Sequence, residues 1–114
     1  MISRKEIVAQ LLAECADDHV GLWEVVRAVQ DEMDVRDPSE LREVTLDVVR
    51  DLLDQPCLEA GFPAPDGRRF NPWNISKEDV LKRVEHQWDA LGRLPNIGDI
   101  VWFSQEGPHA SIRS

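Results

Sequence analysis

Tyrosine is absent from this 114-residue chain, and it holds only two cysteines, three histidines and six glycines. Each scarcity removes a class of protein. Cys15 and Cys57 stand far apart, without the CxxC spacing of a zinc or redox site and too few for a disulfide scaffold. They read as buried, reduced packing residues of a cytoplasmic protein. Gly61, Gly67, Gly92 and Gly98 are isolated and fit turns and helix ends, so no glycine-rich loop cradles a phosphate. His19, His86 and His109 lack partners at metal-ligating spacing; His19, after Asp17-Asp18, reads as a loop histidine and His109 as solvated. No GxSxG and no Ser/His/Asp ordering occurs. The expectation is therefore no enzyme, no cofactor and no metal. No stretch reaches the ~20 apolar residues that cross a bilayer. "MISRKEIVAQ" has basic residues but no apolar run after them, so neither a membrane role nor a secretory signal is expected.

What is present supports a folded protein. Hydrophobic residues make up 42% of the chain, which suits one domain with one modest core. That domain is expected over residues 1–104, with 105–114 as a polar tail.

Ser3 to Glu6 spells a capping box and opens a helix over about residues 3–16, with Ile7, Val8, Leu11, Leu12 and Cys15 at helical spacing. Asp17 or Asp18 is placed to cap a second helix, whose stripe is Leu22, Val25, Val26, Val29 and Met33, with Trp23 half buried beside it. In "DPSE", Asp37 caps a third helix and Pro38 takes its first position. That helix runs to about Asp54 with two apolar rows, one of Leu41, Val44, Val48 and Leu52 and one of Leu46, Val49 and Leu53, which puts it at the centre of the core. Gln55-Pro56 stops it. "CLEAGF", "PAPDG" and "RRF" then read as strand, turn and return strand. Ser76, with Asp79 in the box position, opens a fourth helix that ends at Gly92. "IGDIVWF", residues 97–103, reads as a strand that joins the hairpin. Trp102 and Phe103 would point to opposite faces of it. The fold class is α+β: a three-helix group, a winged-helix-like β-hairpin, a fourth helix and a closing strand.

Charge is the informative property. The net charge is −9, and residues 17–54 carry twelve acids against four bases, almost the whole excess. Asp31, Glu32, Asp34, Asp37, Glu40, Glu43 and Asp47 gather around the turn between the second and third helices. Such a patch steers a basic protein partner. The hairpin offers the alternative of a winged-helix-like DNA-binding regulator, acting through Arg68 and Arg69. Against it, the helix before the hairpin carries Arg42 and Arg50 among six acids, and a helix of that charge is repelled by phosphate. Trp73, in "NPWN", and Trp102 are secondary candidates for partner contact.

The segments "LLDQPCLEAGFPAPDG", "PW" and "WDALGRLPNIGDIVWF" resemble a group of small bacterial proteins without an assigned activity, over about half of the chain. In its short length, cytoplasmic character and acidic surface the chain is also similar to immunity proteins of contact-dependent and other polymorphic toxin systems. That resemblance implies a protein that binds and neutralises a toxin domain, frequently a basic nuclease.

Overall fold

The computed structural model describes residues 2–56, 58–65, 69–96 and 100–105. Four helices and a four-stranded antiparallel sheet make an α+β fold. The helices are α1 (Arg4–Asp17), α2 (Leu22–Glu32), α3 (Pro38–Leu53) and α4 (Lys77–Leu91). The strands are β1 (Val20–Gly21), β2 (Leu58–Pro63), β3 (Phe70–Pro72) and β4 (Trp102–Gln105), in the order β1-β4-β2-β3.

Local chemistry sets most helix ends. Ser3 accepts from the Glu6 backbone N–H and Glu6 returns the bond to Ser3 N–H, each at 3.2 Å. Asp37 caps α3 by accepting from Glu40 N–H at 3.0 Å, and Ser76 caps α4 by accepting from Asp79 N–H at 3.1 Å. Each satisfies a donor that the helix itself leaves open. Gly92 closes α4 with φ 69°, in the left-handed region that glycine enters at little cost.

The second helix begins differently from the sequence expectation. Asp18 ends α1 rather than starting α2: its N–H bonds Glu14 O at 2.9 Å. A two-residue strand follows, and α2 starts after Gly21, whose N–H is taken by the Glu24 carboxylate at 2.9 Å. Val20 and Gly21 pair with Phe103 and Trp102 of β4, a tie to the far end of the chain that pulls these residues out of the helix. At the opposite end, Ile2 N–H reaches Glu32 O at 3.0 Å, so α1 and α2 run antiparallel.

The hairpin is present, with its return strand displaced. Phe70–Pro72 forms β3, Arg69 lies just before it, and Arg68 falls outside the described residues, as does Cys57. The closing strand lies at Trp102–Gln105 rather than at 97–103; residues 97–99 and the tail beyond Gln105 are outside the described residues. β4 does join the hairpin, through β2. It also stands between β2 and β1, which leaves β3 on the sheet's outer edge.

α1 and α3 pack on the sheet through β4 and β2, while α2 and α4 lean on α3. Ile7, Leu11, Leu22, Val25, Val29, Leu41, Val48, Val49, Leu52, Val84, Val101 and Phe103 are buried in one continuous cluster. Burying such side chains stabilises by roughly 1.5–3 kcal/mol each before chain entropy is counted. Val48 has no exposed surface, as its place on α3 predicts, whereas Val44, Leu46 and Leu53 are half-buried. Cys15 is buried with a free thiol.

Candidate partner-binding surface

All seven acids of the expected patch are exposed. They are not equivalent. Asp37 is occupied as the α3 cap. Asp34, at φ 54°, accepts from Arg36 Nε at 3.1 Å; a short polar residue tolerates that left-handed turn. Asp47 lies 3.6 Å from Arg4 of α1, whose Nε makes a closer bond, 2.8 Å, to Asp51. Asp31, Glu32, Glu40 and Glu43 form no ion pair among the described residues.

Helix geometry explains this division. The two arginines of α3 point towards α4: Arg42 bridges Asp89 at 3.2 Å and Arg50 bridges Glu78 at 3.6 Å. Lys77 of α4 reaches back to Asp54 at the C-terminal end of α3. Cations that sequence proximity would set against the acidic residues are thus used on the α3–α4 side. Glu40, Glu43 and Asp47 lie three and four residues apart on the exposed surface of α3, a stripe with Arg4 as its paired cation. Exposed bridges of this kind contribute at most about 1 kcal/mol; their effect here is to sort the charge.

A second acidic region lies at the other end of the α1–α2 pair. Glu14, Asp17, Asp18, His19, Val20, Glu24 and Trp102 line a cleft of about 400 Å³. The Glu14 carboxyl is held above its ordinary value, first by burial and then by the negative charges of Glu24 and Glu32. His19 packs its ring 5.1 Å from Phe70, and its Nδ1 is buried without a hydrogen-bond partner among the described residues.

Of the secondary candidates, Trp73 is half-buried against the core, with the Arg83 guanidinium 4.1 Å above its ring and the Phe62 ring 6.2 Å away. Trp102 is half-buried, while its neighbour Phe103 is wholly inside, as opposite faces of one strand require. Arg69 is exposed, and its backbone carbonyl accepts from Ala64 N–H at 2.8 Å. The structure therefore places the helical acids, all exposed, on α2, α3 and the turn between them, and Arg69, Trp73 and Trp102 in or beside the sheet. The cleft was missed in the sequence, where Trp102 lies about eighty residues from the acids it joins.

Among the described residues no group of His, Cys, Asp and Glu is placed to hold a metal ion, and no helix is long and apolar enough to cross a membrane. No protein-family model, curated protein or solved structure matches this chain.

Proposed function

We propose that this chain is a non-enzymatic, cytoplasmic binding protein of the immunity or antitoxin type, which neutralises a basic toxin domain by covering it with its acidic helical surface. One observation carries the reading: Asp31, Glu32, Glu40 and Glu43 are exposed without ion pairs among the described residues, while the α3 arginines are turned aside to α4. Carboxylates left solvated in this way suffer no desolvation in the free protein and are available to a cationic partner, whose charges they steer and orient. The same stripe disfavours duplex DNA, whose phosphates need a positive surface.

The test is affinity capture from the native host's extract at low salt, with wild type beside a Glu32→Lys, Glu40→Lys, Glu43→Lys variant. Wild type is expected to retain a basic protein, released by raised salt and absent from the variant's eluate. Equal retention by both proteins, or salt-sensitive binding of wild type to duplex DNA at micromolar concentration, would overturn the reading.

A further inference from the structure

Leu94, in the segment that leaves α4, lines two clefts at once. One, of about 330 Å³, is walled by Trp23, Val26 and Arg27 of α2. The other, of about 440 Å³, runs between the start of α3 and the end of α4, with Pro38, Arg42 and Trp88 in its wall. Local chemistry holds the leucine out. Gly92 ends α4 in the left-handed region, Pro95 is buried, and Leu94 between them stays exposed. It is one of three large apolar side chains exposed among the described residues, with Phe62 and Ile75. A lone exposed leucine is ordinary; this one is shared by two concave surfaces that each contain a tryptophan.

Charge separates this face from the rest of the molecule. The two linings include three arginines, Arg27, Arg42 and Arg93, against one acid, Asp89, in a chain of net charge −9. Asp89 is taken by Arg42 at 3.2 Å, and the Arg93 guanidinium donates to the Leu94 carbonyl at 3.0 Å. Arg27 forms no ion pair among the described residues. Its guanidinium lies over the Trp23 ring, 5.4 Å from the centroid. A guanidinium held on an aromatic face keeps the donors at its edge open. Little side-chain freedom is then left to lose when a carboxylate pairs with them.

We infer that this groove docks a peptide segment of a protein partner in which leucine-like side chains flank a carboxylate. The apolar side chains enter the clefts beside Leu94, and the carboxylate pairs with Arg27. Charge complementarity selects an acidic segment over a basic one. The apolar wall selects a peptide over a phosphate backbone, whose affinity comes from cations. A second copy of this chain is the weaker occupant, because two chains of net charge −9 repel each other. The inference goes beyond the reading of a basic partner and does not depend on it.

The experiment titrates the protein with end-blocked Gly-Leu-Glu-Glu-Leu-Gly at low salt. Gly-Leu-Gln-Gln-Leu-Gly, without charge, and Gly-Gly-Glu-Glu-Gly-Gly, without apolar side chains, are the controls. The readout is the Trp23 indole N–H resonance, assigned by its loss in Trp23→Phe, together with the Leu94 backbone amide. A saturable shift of both is expected with the first peptide, and binding at least about tenfold weaker with either control. Arg27→Gln and Leu94→Ser each alter an exposed side chain, so both should melt close to wild type while losing about tenfold or more in affinity. The two variants act on different halves of the contact, so either one that folds suffices for the test. The inference is overturned if no saturable shift occurs, if either control binds as tightly, or if a folded variant binds as wild type does. It is equally overturned if a single-stranded oligonucleotide moves the same resonances at lower concentration, or if sedimentation shows a dimer that Leu94→Ser dissolves.

Discussion

Gly61 of β2 stands where a methyl group would lie 2.1 Å from the backbone carbonyl oxygen of Asn71 in β3. The obstruction is backbone, which cannot swing aside as a side chain can, so the hairpin needs a residue without Cβ at this register. Gly61→Ala is expected to push β3 away and to destabilise by about 1–3 kcal/mol, the usual cost of overpacking. Gly92→Ala is the control. Among the described residues nothing lies within 4 Å of an added methyl there, and its φ of 69° is what opposes the change, for about 1 kcal/mol. Denaturant unfolding should rank Gly61→Ala as the less stable of the two; the reverse order would mean that β3 does not press on β2.

Cys15 gives stability a pH dependence on the alkaline side. Burial above all, followed by the charges of Glu14 and Glu24, pushes its thiol from 9.0 up to about 12. The folded state therefore holds the proton after the unfolded state has released it. Stabilisation from this group is complete below pH 9 and is lost as pH rises towards 12, at up to ~1.4 kcal/mol per pH unit. Other side chains that titrate in the alkaline range are few: there is no tyrosine, Lys5, Lys77 and Lys82 are the only lysines, and Cys57, present in both proteins compared, is the only other thiol. Unfolding midpoints measured from pH 8 to 10.5 should fall more steeply for wild type than for Cys15→Ala. Parallel slopes would count against a thiol sealed in the core.

The helices were legible because their signals are local. Ser3 with Glu6, Asp37 with Pro38 and Glu40, and Ser76 with Asp79 each announce a helix within four residues, and all three caps form. β1 was not legible, because Val20 and Gly21 become a strand only through partners at Phe103 and Trp102. The same long-range pairing explains why Asp17 and Asp18 do not cap α2. For the acidic surface, the excess of charge could be read from residues 17–54, but not its distribution. Whether Arg42 and Arg50 neutralise Glu43 and Asp47 or turn to α4 depends on where α4 packs, and no periodicity within α3 encodes that.

Thr45 and Val48 divide the centre of α3. Both are fully buried, but the Thr45 hydroxyl has no hydrogen-bond partner among the described residues. Replacing it by the similarly shaped Val removes an unsatisfied polar atom, so Thr45→Val should stabilise by about 1 kcal/mol. Val48→Asp would place an unpaired charge at the same depth and should leave no cooperative folded state. Calorimetry with both variants tests the assignment. A Val48→Asp protein that melts like wild type would remove α3 from the core.

Glu32→Lys, Glu40→Lys and Glu43→Lys reverse three charges without touching a cap, an ion pair or the left-handed residue Asp34. Their effects on folding should nearly cancel. Lysine at the C-terminal end of α2 improves the match to the helix dipole, lysine in the first turn of α3 worsens it by about 0.3–1 kcal/mol, and position 43 is an exposed mid-helix site. The triple variant should therefore melt close to wild type while associating more slowly with a captured basic partner. Stopped-flow mixing at about 0.02 M salt should show an on-rate lower by tenfold or more. The difference should shrink as salt rises past ~0.1 M, where screening cuts steering beyond roughly 10 Å. A variant that associates at the wild-type rate at low salt would make the stripe a solvated face, and the contact would then be sought at Trp102 or at Trp73.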